Sequence, residues 1–290
     1  MKVSGFTFIR NGVKYDYPIV EAIQSILPVC DEVVVCVGNS DDNTFELINN
    51  IGSPKIRIIE SVWDDSLREG GKVLAVETNK AFDAAMTDSD WLFYIQGDEV
   101  VHEKYLPAIK NAMQDNLNNP EVEGLLFHYK HFWGSYDYIA DSHHWYRKEI
   151  RIVRNDKSIR SYKDAQGFRK NGEKLKVKLI DAYIFHYGWV KNPYYQEEKF
   201  KSFHKLWHSD EWMKQNLAPN DPFNYNIIES LELYNDTPPA VMLARIAKMD
   251  WRIQFDPKKK KFTVKALFKY IAMKLTGEIP FEYKNYKLIK

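Results

Sequence analysis

The pattern of apolar and polar positions differs between the two halves of the chain. Residues 3–9 read as a strand with Phe6 and Phe8 on one face. Pro18 then stands at a first helical position, followed by Ile19, Ala22, Ile23, Ile26 and Leu27 at helical spacing. Residues 33–37 (VVVCV) form an unbroken apolar run, the mark of a strand covered on both faces. A short helix through Phe45, Leu47 and Ile48, a strand over 56–59, a longer helix over 72–86 and a strand over 91–95 come next. This βαβαβαβ series predicts an α/β fold, with a mainly parallel sheet and helices on both faces. Ligands of such sheets bind beyond the carboxyl ends of the strands, which directs attention to the residues just past Ile9, Val37, Ile59 and Ile95.

The second half predicts longer strands over 124–132 and 145–153, a basic loop over 155–178 and a strand over 179–185. Residues 195–212 read as a helix with Phe200, Phe203, Leu206 and Trp207 on one face. A lysine run at 258–261 precedes a further helical stretch over 262–275. The expected division is a catalytic-type α/β domain over 1–190 and a helical C-terminal extension over 191–290.

Composition narrows the class. With 44% hydrophobic and 28% charged residues, the 290-residue chain is ordinary globular protein, which excludes disorder, collagen and coiled coil. A net charge of +1 argues against a dedicated nucleic-acid binder. That figure hides a gradient. Residues 1–120 carry 10 Lys and Arg against 19 Asp and Glu, whereas residues 241–290 carry 13 against 4. The acidic head suits a metal or polar-ligand site, and the basic tail suits a negatively charged surface. No run of 18 apolar residues is present to span a bilayer, and Arg10, Asn11 and Lys14 interrupt any signal-peptide pattern. Cys30 and Cys36 alone cannot staple a chain of this length, so a reducing, cytoplasmic location is expected. Tyr and Trp are abundant, and their rings serve equally as sugar platforms and as core filler.

Three clusters lie just past predicted strands. Gly38 to Thr44 (GNSDDNT) offers Ser40 as a helix cap, with Asp42 and Thr44 in the first turn. Gln96-Gly97-Asp98-Glu99 sets two carboxylates on a tight turn, where they repel unless a cation is near. Hard oxygen ligands of this kind suit Mg²⁺ or Mn²⁺ shared with a substrate phosphate. His186 ends an apolar strand, and imidazole is a ligand for Mn²⁺.

Together these clusters resemble glycosyltransferase family 2, inverting enzymes of the Rossmann-like GT-A fold that use nucleotide-sugar donors. The resemblance covers roughly residues 1–190. It implies nucleotide contacts from Arg10, Asn11, Asn39, Ser40, Asp42 and Gln96, and a Mn²⁺ or Mg²⁺ ion held by Asp98, Glu99 and His186. It implies transfer from a UDP-, GDP- or dTDP-sugar to a glycan or lipid-linked acceptor, as in polysaccharide biosynthesis at the cell envelope. Val37 and Gly38 stand where relatives commonly carry acids, one of which binds the base, and Gln96 stands where the metal motif has its first acid. The alternatives are a catalytically silent binder of the same fold and a sugar-nucleotidyltransferase. The latter expects a Gly-rich loop after the first strand, and Ile9 to Val13 holds one glycine.

An inverting transfer needs a general base. The resemblance implies a carboxylate between the metal motif and the late His, and the candidates are Asp137, Asp141, Glu149 and Asp164, with Asp164 first and Asp141 next. Arg147, Arg151 and Arg154 alternate, so they suit either diphosphate, with Arg147 as donor contact, or a solvated strand edge. Of His143 and His144, a strand would turn at most one toward an acceptor. Two readings of the tail stay open: a basic amphipathic helix lying on the inner face of an anionic membrane, or a helix with its apolar face packed on the core.

Overall fold

A computed structural model describes residues 1–67, 70–216 and 222–289. Its first half is the expected alternation: β1 (Val3–Ile9), α1 (Ile19–Ile26), β2 (Glu32–Gly38), α2 (Thr44–Asn49), β3 (Ile56–Ser61), α3 (Lys72–Ala84) and β4 (Trp91–Tyr94). Then come β5 (Glu99–Val101), α4 (Leu106–Asp115), β6 (Gly124–Trp133), β7 (Tyr138–Ala140) and β8 (Lys148–Arg154). After these lie β9 (Ile159–Tyr162), β10 (Gly167–Lys170), β11 (Glu173–Lys174) and β12 (Lys176–Trp189). The remainder is α5 (Pro193–His204), α6 (Asp210–Asn216), β13 (Leu231–Leu233), α7 (Leu243–Ala247), α8 (Val264–Thr276) and β14 (Lys287–Leu288).

The main sheet runs β13-β7-β6-β8-β4-β1-β2-β3, with β12 also paired to β6, β5 and β14. Strands β3, β2, β1 and β4 are parallel, and antiparallel pairs enter from β8 onward. The alternation along β2 explains the layering. Val33, Val35 and Val37 pack with α1 and α4 on one face, while Val34 and Cys36 pack with Ala81 and Phe82 of α3 on the other. The protein is thus an α/β fold with a Rossmann-like parallel half and helices on both faces.

Three expectations change. The stretch over 155–178 is not a loop but the small antiparallel sheet β11-β10-β9, which buries Ile159 and Phe168 against the α3 face. The helix expected over 195–212 breaks into α5 and α6 around residues 205–209. The C-terminal region is not only helical, since β13 pairs with β7 and β14 with β12. Among the described residues, no helix is long and apolar enough to cross a membrane.

Candidate functional site

The strand order reverses at β1, because β2 and β3 extend the sheet to one side and β4 lies on the other. A parallel sheet leaves a crevice at such a point, past the carboxyl ends of the two flanking strands. A cleft of ≈ 700 Å³ opens there, lined by Arg10 and Asn11 after β1 and by Gln96, Gly97 and Asp98 after β4. Asp164 from the β9–β10 turn, His186 and Gly188 of β12, and Lys199 and Phe200 of α5 complete its walls.

Hydrogen bonding fixes the state of His186. His131 Nε2 lies 2.7 Å from the Tyr146 carbonyl, an acceptor, so that nitrogen carries the proton. Burial first, then the neighbouring His186, holds His131 well below the usual histidine range, so the ring is neutral and its Nδ1 accepts. His186 Nδ1, 3.0 Å away, must therefore donate. Burial above all holds His186 below the usual histidine range, so the ring is neutral and its Nε2 lone pair faces Asp98 Oδ2 at 3.8 Å. Two acceptors facing each other define a position for a cation.

Lys199 reaches that carboxylate, with Nζ 2.9 Å from Asp98 Oδ2 and 2.9 Å from the Gly188 carbonyl. Burial opposes ionisation of Asp98, but the Lys199 ammonium outweighs it and holds the carboxyl well below the usual range. Lys191 lies deeper, donating to the Asp16 carbonyl, and burial followed by Lys199 brings its ammonium down to about 7. Gly188 keeps the centre open: a Cβ there would fall 2.7 Å from His186 Nε2 and 2.8 Å from Asp98 Oδ2. A carboxylate, an unprotonated imidazole and this cradle fit a divalent ion whose other ligands are water or phosphate oxygens.

Glu99, the third expected ligand, points the other way. It is fully buried and takes Arg151 bidentately, Nε at 2.8 Å and Nη2 at 2.7 Å, together with the Tyr129 hydroxyl at 2.7 Å. Its oxygens neutralise Arg151, the cation that its sequence neighbours required. Gln96 accepts from Arg151 at 3.4 Å and donates to the Ala165 carbonyl at 3.4 Å, so it ties the turn over 96–99 to the Asp164 turn. Asp164 lines the cleft between Lys163 and Ala165, which both adopt left-handed backbone with φ 54° and 61°.

The β2–α2 segment serves the loop after β1. Ser40 Oγ accepts from Asn11 N at 3.0 Å, and Asp42 accepts from Lys14 N at 2.6 Å. Ser40 is therefore not the cap of α2, whose N-cap is Asn43. Asn39 accepts from Trp63 N at 3.1 Å through its side chain and from Arg10 at 3.2 Å through its carbonyl. The Trp63 indole closes over Gly38, where a Cβ would lie 2.3 Å from Nε1. That buried N–H has no hydrogen-bond partner among the described residues.

Other expected contacts lie outside the cleft. Asp141 is buried under the tail, with Tyr270 at 2.9 Å, Lys274 at 3.3 Å, Lys260 at 3.4 Å and Ser230 also bonded to it. Arg147 faces a second pocket and reaches Met273 Sδ at 3.5 Å. Arg154 stacks on Trp91 at 3.8 Å and donates to carbonyls around residues 116–122. None of the three arginines lines the cleft. Glu149 is buried away from it, where desolvation pushes its carboxyl up to about 7. His143 and His144 occupy a turn rather than a strand, so both rings share one side, 4.0 Å apart. With Glu229 they form the one group of three metal-capable side chains that converges within 4.8 Å among the described residues.

No family profile and no curated protein matches the chain. Among solved structures, S. aureus TarS 1-349 in complex with UDP is similar over 70% of this chain and 64% of that one, at 16% identity and a TM-score of 0.40. This chain thus spans less than two thirds of TarS 1-349. A glucosyl-3-phosphoglycerate synthase from Mycobacterium tuberculosis, in complex with Mn²⁺, UDP and phosphoglyceric acid, matches over 46% of this chain and 43% of its own, at 20% identity and 0.29. A 4-diphosphocytidyl-2C-methyl-D-erythritol synthase from Anaerococcus prevotii matches over 53% and 71%, at 11% and 0.34. These are partial likenesses at low identity.

Sequence reasoning missed Lys199, Lys191, His131, Gly188 and Trp63. The basic side chains sit in ordinary amphipathic or strand-end contexts, and no local spacing ties them to Asp98. For His131 a faint signal existed, since with Lys130 it interrupts the aromatic stretch from Tyr129 to Trp133.

Proposed function

We propose that the protein is a glycosyltransferase that moves a sugar from a nucleoside-diphosphate donor to an acceptor hydroxyl with inversion, in the manner of the GT-A enzymes of family 2. The observation that carries this is the cation position between Asp98 and the His186 Nε2 lone pair, opening into the cleft at the reversal point of a parallel sheet. Asp98 and His186 would hold Mn²⁺ or Mg²⁺, which when bound supplies positive charge to the departing diphosphate. Lys199 adds a protein cation beside the same oxygens, and Trp189 and Phe200 offer ring faces for sugar. The nucleobase end is assigned to the β2–β3 side, where Arg10 lies 5.5 Å over the Trp63 ring. Asp164 takes the proton of the acceptor hydroxyl, being the one base candidate on the cleft wall. The glycan or lipid-linked nature of the acceptor belongs to this proposal, as does the division at residue 190.

A panel of UDP-, GDP- and dTDP-sugars with Mn²⁺, scored by release of nucleoside diphosphate, tests the reading. Donor-dependent release supports it, and nucleotide binding with no turnover on any donor replaces it with a silent binder.

Two variants refine the roles. Asp164→Asn is expected to lower kcat about 10²–10⁴-fold with donor affinity within about twofold, because the proton acceptor goes and the shape stays. A near-normal kcat removes Asp164 from the reaction. His131→Phe keeps the ring volume but frees His186 to change tautomer, and Mn²⁺ affinity should fall about 10–100-fold by calorimetry in the presence of nucleoside diphosphate. Unchanged Mn²⁺ affinity would separate His186 from the ion.

A further inference from the structure

Helix α8 presents the wrong face to the protein for a helix that merely covers a core. Its inward residues are Ala266, Tyr270 and Met273, with Tyr270 and Lys274 held on Asp141. At 3.6 residues per turn, Val264, Leu267, Phe268, Ile271 and Leu275 fall in a stripe about 100° wide on the opposite side. That stripe lies in water: Val264 is 88% exposed, Phe268 68% and Leu275 82%. Beyond the helix Phe281, at φ 62°, is 98% exposed, and Tyr283 is also exposed. Scattered exposed apolar residues are normal, but a contiguous stripe along one helix marks a contact surface.

Charge identifies what covers it. Residues 257–277 hold seven lysines and no Asp or Glu. Lys260 and Lys274 are engaged by Asp141. Lys258, Lys259 and Lys265 are exposed and Lys269 is half-buried, and none of these four makes an ion pair among the described residues. Lys265 and Lys269 flank one edge of the stripe and Lys274 the other. An apolar stripe bordered by lysines suits the boundary between acyl chains and anionic headgroups, where each lysine adds Coulomb attraction and the apolar side chains sink below it.

We propose that α8 and the lysines before it form a docking surface for an anionic phospholipid bilayer, the helix lying flat with Phe268 and Leu275 inserted. The Asp141 knot holds this helix on the folded domain, so the whole protein is carried to the surface. The inference is independent of the reading of the cleft, because vesicle binding is measured without nucleotide or acceptor.

The test is flotation of the full chain with vesicles of phosphatidylcholine containing a third phosphatidylglycerol, against pure phosphatidylcholine. Expected is binding to the anionic vesicles alone, falling at least tenfold between about 0.1 and 0.5 M NaCl as screening tightens. Phe268→Ser with Leu275→Ser should lower partition more than tenfold, and Lys258→Ala with Lys259→Ala about 25-fold, at roughly fivefold per lysine. All four side chains are exposed, so thermal melting should not move; if the serine pair does shift it, the lysine pair decides. No flotation at low salt overturns the proposal, as does equal binding to neutral vesicles or binding untouched by either pair. A dimer dispersed by Phe268→Ser and Leu275→Ser, without flotation, overturns it in favour of a second copy as occupant.

Discussion

Asp98→Ala should reduce turnover by about three orders of magnitude at saturating Mn²⁺, roughly 4 kcal/mol of lost transition-state stabilisation. The carboxylate is the only acid among the described residues that meets both His186 and Lys199, at 3.8 and 2.9 Å, and nothing nearby replaces it. The substitution also leaves the Lys199 ammonium half-satisfied, with the Gly188 carbonyl and the Tyr17 ring as remaining partners. A modest fall in melting temperature is therefore expected beside the kinetic loss, and circular dichroism separates the two. Activity retained above about a tenth of wild type would move the reaction away from Asp98.

Glu99→Ala is expected to act on stability, by about 3–5 kcal/mol in urea unfolding at neutral pH, because it strands a fully buried guanidinium. Burial disfavours the Arg151 charge, and Glu99 above all offsets it; with Glu99 removed, two backbone carbonyls, the Gln96 side-chain oxygen and the Tyr94 and Tyr129 rings remain among the described residues. Glu99→Ala combined with Arg151→Met should recover much of the loss, since an apolar pair needs no compensation. A metal ligand would behave otherwise: the variant would fold normally and need more Mn²⁺. Urea midpoints for the two variants distinguish these outcomes.

The contrast between these adjacent acids shows what the chain reveals in one dimension. The run over 33–37 announced a two-sided strand because both of its faces are apolar, and β2 does face helices on each side. The turn at 96–99 announced chemistry because it sits at a strand end. Which acid faces the cleft depends on the pairing of β5 with β12, where Glu99 stands opposite His186, and on Arg151 reaching in from β8. Those partners lie 52 to 87 residues away in sequence. The strands over 159–174 were hidden for a related reason. They are short, basic and largely polar, and their few apolar residues gain meaning only against the α3 face. In α8 the periodicity was plain, but a sequence gives the width of an apolar stripe and not the direction it faces.

The Trp63 indole closing over Gly38 has a consequence for how donor preference in such a cleft could be altered. An acid introduced at 38 to read a nucleobase would meet the indole at 2.3 Å, whereas shrinking Trp63 first opens the space. The two positions are therefore coupled, because any side chain at 38 requires the Trp63 indole to move or to shrink. Laboratory evolution that randomises 38 alone should favour glycine, whereas a library that varies 38 and 63 together relieves the clash and admits larger side chains at 38.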